Sequence, residues 1–242
     1  MAETVVLLHG FAGTRHGWDL VADRLHPERY RPLALDLRGH GDARDERPIT
    51  FDAVAADVAE AAPERFVLCG YSLGGRVALH VALAHPERVS RLVLVASTAG
   101  IEDPALRAER RAADERLAAD TERATIEEFA ERWSRQPLFA GTPPGAAAFW
   151  RADLLRNDPA ALAAALRGIG AGAMEPLWDR LGELDAMPVT IIAGERDGRY
   201  AAIGRRLADA LPGGRLLLVP GAGHGLPREA PQAVAAAIAS TE

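Results

Sequence analysis

Ser72 stands in Gly70-Tyr71-Ser72-Leu73-Gly74-Gly75-Arg76, and a serine so placed can serve as a nucleophile or a relayed base. Glycines on either side let the chain turn sharply and lift the hydroxyl clear of the backbone. The pattern Gly-x-Ser-x-Gly is expected by chance about 0.04 times in a chain of this composition. An apolar run ending at Cys69 precedes it, and a helical pattern running to about His85 follows it. That context predicts a nucleophile elbow, with the new helix presenting free N–H groups and a positive dipole to charge forming beside Ser72.

A serine used this way needs a histidine to take its proton and a carboxylate to orient the histidine. In strand–turn–helix settings these partners follow in the order acid, then histidine, each after a later strand. Asp197 in Gly194-Glu195-Arg196-Asp197 and His224 in Gly221-Ala222-Gly223-His224-Gly225 meet that order. Glu195 is the alternative acid, but Asp197 lies farther round the loop. His26, His80 and His85 fall on or beside helices, where packing or surface roles are the default. A developing oxyanion needs two N–H donors; the expected ones are the backbone groups of Leu73 and of Phe11, in His9-Gly10-Phe11. His9 is expected to brace that loop with its ring, the alternative being a ligand or base.

Composition narrows the chemistry. The 28 basic residues are all Arg, so Schiff-base chemistry, pyridoxal phosphate and a Walker-type phosphate loop, which need a lysine amine, are excluded. One cysteine, Cys69, excludes an intramolecular disulfide and a multi-cysteine zinc site. No metal-ligand spacing is present, and no cofactor is expected. With 34 acidic residues the net charge is −6, which argues against a nucleic-acid partner. The N-terminus lacks the basic start and long apolar stretch of a signal peptide, and no apolar run approaches a membrane span. A soluble, cytoplasmic protein acting on a small molecule is expected; the oligomeric state is left open.

The elements that must hold these residues read as alternating strands and helices. Nearly continuous apolar runs at Val5–Leu8, Leu33–Leu37, Phe66–Cys69, Leu92–Ala96, Val189–Ala193 and Leu216–Val219 predict strands covered on both faces. Helices are expected over Trp18–Leu25, Phe51–Ala62, Gly74–His85, Gly204–Leu211 and Pro231–Ala239. The alternation predicts an α/β chain with a mostly parallel central sheet and helices on both faces. Residues 100–186 break the rhythm: rich in Ala, Arg and Glu, they hold no convincing strand. Pro143-Pro144 and Asn157-Asp158-Pro159 read as turns, and Ile126–Trp133 and Ala160–Leu166 as helices. The expected organisation is a core of 1–99 and 187–242, with 100–186 a helical cap over the carboxyl edge of the sheet, inserted before the acid-bearing strand.

These residues resemble the α/β-hydrolase superfamily. Within it, further motifs are similar to the 2-succinyl-6-hydroxy-2,4-cyclohexadiene-1-carboxylate synthases of menaquinone biosynthesis. They are Tyr71 and Arg76 around the elbow, Gly100-Ile-Glu-Asp running into Arg107-Ala-Glu-Arg110-Arg111, and Phe129-Ala-Glu-Arg-Trp133-Ser-Arg-Gln-Pro137-Leu-Phe139. Leu166-Arg-Gly-Ile-Gly-Ala-Gly172, Pro176-Leu-Trp178 and the Asp197 loop complete the likeness. The resemblance implies a lyase that expels pyruvate from a succinylated, enolpyruvylated cyclohexene carboxylate. It also implies a polycarboxylate substrate held by Tyr71, Arg76, Arg110 and Trp133. Arg76 is four residues from Ser72, on one helix face, and a guanidinium suits a carboxylate. A solvated surface role remains open for Arg76, Arg107 and Arg111 are alternatives to Arg110, and core packing is open for Trp133. Two departures are evident: Pro227 stands where the family often has a second histidine, and Ala43 where it usually has serine. The alternatives to the lyase are a serine hydrolase (esterase, lactonase or carbon–carbon bond hydrolase) and a non-catalytic binder.

Overall fold

The structure, a computed structural model, describes residues 2–240. Six strands form one sheet: β1 (Glu3–Leu8), β2 (Tyr30–Leu35), β3 (Phe66–Tyr71), β4 (Val89–Val95), β5 (Val189–Gly194) and β6 (Arg215–Val219). Their order is β2-β1-β3-β4-β5-β6, and every neighbouring pair is parallel. The helices are α1 (Asp19–Ala22), α2 (Phe51–Ala61), α3 (Leu73–Ala84), α4 (Pro104–Glu122), α5 (Ile126–Ser134), α6 (Pro144–Leu154), α7 (Pro159–Ile169), α8 (Gly198–Ala210), α9 (Leu226–Glu229) and α10 (Pro231–Ala239).

The two-residue period of a strand sends adjacent side chains to opposite faces, and here both faces are apolar. Val6, Leu8, Leu68, Leu92, Leu94 and Ile191 pack with Val54 and Val58 of α2, Val77 and Val81 of α3 and Leu207 of α8. Val5, Leu7, Val67, Cys69, Val93 and Ile192 pack with Val21 of α1 and Val234 and Ile238 of α10. This double covering is why the inner strands read as unbroken apolar runs, and the parallel α/β expectation holds; β2 and β6, expected to be covered on both faces, are edge strands and stay partly exposed.

Some boundaries differ from the sequence reading. The second strand ends at Leu35, because the Leu37 N–H leaves the ladder to donate to His9 Nε2 at 3.0 Å. Only four residues of the expected 18–25 helix are α-helical, after a 3-10 turn over Arg15–Trp18. The helix expected from Gly204 begins at Gly198, because the Asp197 carboxylate caps it by accepting from Tyr200 N. Pro143-Pro144 is no plain turn: Pro144 opens α6, where its missing N–H costs nothing. Likewise Asp158 caps α7 and Pro159 opens it.

Helices α4 to α7 lie between β4 and β5 in the chain. Phe129, Ala130, Trp150, Leu154 and Leu162 form a small core with Ala12, from the loop after β1. Ala165 and Ile169 of α7 join the main core. These helices therefore pack against the loop after β1 and against the main core.

Close backbone approach at the β1–β3–α3 junction admits no side chain at Gly74. A Cβ there would overlap the Leu8 carbonyl oxygen and lie 2.7 Å from that of His9. Gly74→Ala is expected to cost about 3 kcal/mol or more in urea unfolding, because backbone cannot yield as a side chain would. Gly145→Ala, at a helical site open to space, should instead stabilise by about 0.5 kcal/mol.

Candidate active site

Ser72 joins β3 to α3 with φ +52° and ψ −106°, a left-handed geometry that costs a non-glycine residue energy. Neighbours hold it there. Its N–H donates to Val95 O at 2.8 Å, and its carbonyl accepts from Ser97 Oγ at 2.8 Å. Leu73 opens α3, so its N–H has no intrahelical acceptor.

His224 and Asp197 meet Ser72 from the loops after β6 and β5. His224 Nε2 lies 3.2 Å from Ser72 Oγ, and Nδ1 lies 2.7 Å from Asp197 Oδ2. The carboxylate can only accept, so Nδ1 carries the proton and Nε2 is free to receive that of Ser72. Glu195, the alternative acid, is exposed and accepts from Gly221 N instead. The histidine loop is braced by Glu229, a residue the sequence reading missed. Its buried carboxylate accepts from Gly223 N, Gly225 N and Arg196 Nη2, at 2.8, 3.0 and 3.0 Å. The available signal was a carboxylate one turn beyond a loop of free N–H groups.

His9 ties the loop carrying Phe11 to the one after β2. Nδ1–H donates to Gly10 O at 2.8 Å, while Nε2 accepts from Leu37 N. Burial depresses its protonation, keeping the ring neutral as that pairing requires.

The floor carrying Ser72 opens into a cavity of about 440 Å³. Phe11, Arg76, Arg110, Trp133 and Tyr200 contribute to its walls, with the exposed Arg199 at its margin. Arg76 is buried, not a solvated surface side chain; its Nη1 donates to Ile169 O at 2.9 Å. No carboxylate pairs with it among the described residues, and burial pulls it down to about 10. Arg110 is oriented by Asp114, whose carboxylate takes Arg110 Nε at 2.7 Å and Gly172 N at 2.9 Å. Arg107 is instead paired with Glu175, and Arg111 does not line the cavity. Trp133 both packs and lines: it stacks on Phe129 at 5.6 Å and faces the cavity. Tyr71 is buried beside Gly10 and lines a smaller adjoining cavity. Among the described residues no group of three or more His, Cys, Asp or Glu side chains is arranged to hold a metal ion, and no helix is long and apolar enough to cross a membrane.

A parallel sheet with a serine at the β3–α3 turn, an acid after β5 and a histidine after β6 defines a class of enzyme, and sequence comparison agrees. Residues 5–237 match the model of the alpha/beta hydrolase family, and the chain belongs to that family. A 2-succinyl-6-hydroxy-2,4-cyclohexadiene-1-carboxylate synthase of Enterobacter sp. (strain 638) is 33% identical over 239 residues, covering 97% of this chain and 90% of that protein. The structure of MenH from S. aureus superposes with a TM-score of 0.90 at 30% identity, covering 98% of this chain and 92% of that one. A pimeloyl-[acyl-carrier protein] methyl ester esterase of Nitrosomonas europaea is 33% identical over 231 residues, covering 91% of this chain and 88% of its own length.

Behind the site, His40 is buried against His9 and Phe11, and loss of hydration, then His9, pushes it down to about 3. The unfolded chain takes up that proton near 6.5 and the folded chain only near 3. Stability is therefore full above the higher value and falls as the pH drops toward the lower one. Thermal unfolding from about pH 7 to about pH 4 should show a falling Tm, with a shallower fall in His40→Gln.

Proposed function

We propose that this enzyme eliminates pyruvate from 2-succinyl-5-enolpyruvyl-6-hydroxy-3-cyclohexene-1-carboxylate, giving 2-succinyl-6-hydroxy-2,4-cyclohexadiene-1-carboxylate. The observation that carries the reading is the buried Arg76 guanidinium, without a carboxylate partner among the described residues, in the cavity that holds Ser72. A plain ester pocket has no use for such a group, whereas a substrate with several carboxylates supplies its missing partner. Relatedness to the named synthase over nearly the whole chain supports the same reading.

Ser72 gives its proton to His224, and Asp197 supports the resulting imidazolium. The serine oxygen then removes the ring proton alpha to the succinyl ketone. Charge moves onto the ketone oxygen, held by the N–H groups of Phe11 and Leu73. As the enolate collapses, electrons shift through the ring double bond to form the 2,4-diene and break the carbon–oxygen bond to the side chain. Pyruvate leaves as its enolate and takes the proton from His224. Ser72 retains the ring proton as its hydroxyl, so the cycle closes without an acyl-enzyme. Arg76 and Arg110 hold retained carboxylates, with Tyr71 and Trp133 shaping the walls. The helices of residues 100–186 act as a cap on the core, and the polycarboxylate ligand and cytoplasmic setting expected from the sequence belong to this proposal.

A serine hydrolase is the second reading, favoured by the esterase relative and by a Ser72–His224–Asp197 geometry equally able to attack a carbonyl. Pyruvate release, coupled to lactate dehydrogenase and measured above the spontaneous rate, separates the two. Ser72→Ala should lower kcat by about 10³-fold or more, and Arg76→Ala should raise KM by about 10- to 100-fold. Release no faster than without enzyme, together with turnover of p-nitrophenyl acetate, would overturn the lyase reading.

A further inference from the structure

A second, smaller cavity of about 40 Å³ meets the large one at Phe11, Ser72, Trp133 and Leu138. Its remaining walls include Tyr71, Phe139, Trp150, His224 and Arg228. One water needs roughly 10–15 Å³ measured this way, so the space admits a fragment of a few heavy atoms and no second ring.

Arg228 lies on the short α9, four residues beyond His224, and is over nine-tenths buried. Its Nη2 donates to Asp153 Oδ2 of α6 at 2.8 Å. Asp153 is fixed in turn by Thr14, which donates to it through both N–H and Oγ1. Gly17 makes room for the guanidinium, since a Cβ there would come within 2.8 Å of Nη2. Arg228 Nε, however, is buried and has no hydrogen-bond partner among the described residues. A buried donor left without an acceptor is a standing cost, and the guanidinium that bears it lines this small cavity. Tyr71 adds a second polar group to this wall, and burial pushes its phenol pKa up so that it stays a neutral O–H donor.

We propose that this small cavity is the subsite for the departing three-carbon fragment, with Arg228 anchoring the enolpyruvyl carboxylate. The inference rests on the lyase reading above. That substrate carries three carboxylates: one on the ring, one on the succinyl chain and one on the enolpyruvyl group. Arg76 and Arg110 stand in the large cavity, where the ring and succinyl chain fit by size. Arg228 stands in an arm of the site too small for either. His224 lines the small arm, which brings its proton to the enolate that leaves there.

Removing Arg228 alone would strand a buried carboxylate, so the test uses the neutral pair Arg228→Met with Asp153→Asn, which keeps an acceptor for Thr14. Pyruvate release, inhibition by added pyruvate, and labelling of Ser72 by an uncharged phosphonofluoridate are measured in wild type and variant. The expected result is a KM at least about tenfold higher and pyruvate inhibition weakened by at least about tenfold, with the labelling rate within about threefold of wild type. Unchanged KM and pyruvate inhibition would overturn the subsite. So would a labelling rate that falls in proportion to turnover, since Arg228 would then only hold the triad in shape. A wild-type enzyme that releases no pyruvate above background would sink the lyase reading itself, before any variant is compared.

Discussion

A side chain other than glycine stays at φ +52° only when its surroundings overdetermine it, and the site is organised around meeting that condition at Ser72. Val95 and Ser97, from the end of β4 and the residues beyond it, clamp the serine's N–H and carbonyl. Gly74 lets α3 pack directly on the backbone of β1. The strain therefore draws on three adjacent parallel strands. This is why the hydroxyl projects from a rigid floor and not from a loop free to relax, and why the first N–H of α3 faces the same space.

The roof is tied to that floor by polar contacts as well as by packing. From α6 and the turn after it, Asp153 reaches Thr14 and Arg228, while Asn157 Oδ1 accepts from Gly41 N and its Nδ2 donates to Ala12 O. Both side chains are buried, and losing one partner of such a pair costs more than the pair contributes. The inserted helices thus share their anchors with the loop that carries Phe11 and with the segment following His224.

Much of this was legible in the sequence, for identifiable reasons. Strands buried on both faces leave unbroken apolar runs, which marked β1, β3, β4 and β5, while the half-exposed edge strands β2 and β6 were still recognisable by their leucines. The elbow announced itself through glycines that packing requires, and Asp197 and His224 through their order after late strands. The polar helix α4 was not legible, because only Asp114, Ala118 and Thr121 are buried on it and no apolar stripe marks its face. Asp103 and Pro104 were the available signal, an N-cap followed by proline. Arg228 and Asp153 were out of reach for another reason: they lie 75 residues apart, and nothing local tells a buried guanidinium from the many exposed ones. Asp114 told the same story in reverse, as an ordinary acid in a charged helix whose partner Gly172 lies 58 residues on.

Asp153 and Asn157 also bear on how such inserted segments are exchanged between related folds. A segment joined to its core only by apolar contact could be swapped for another of similar volume. Here the core has handed two of its own hydrogen-bonding obligations, at Thr14 and at Gly41, to residues of the insertion. Transplanting a foreign roof onto this sheet would orphan those backbone groups beside the nucleophile unless the graft carried the same acid and amide in register. The insertion and the core therefore satisfy each other's backbone groups and are not interchangeable parts.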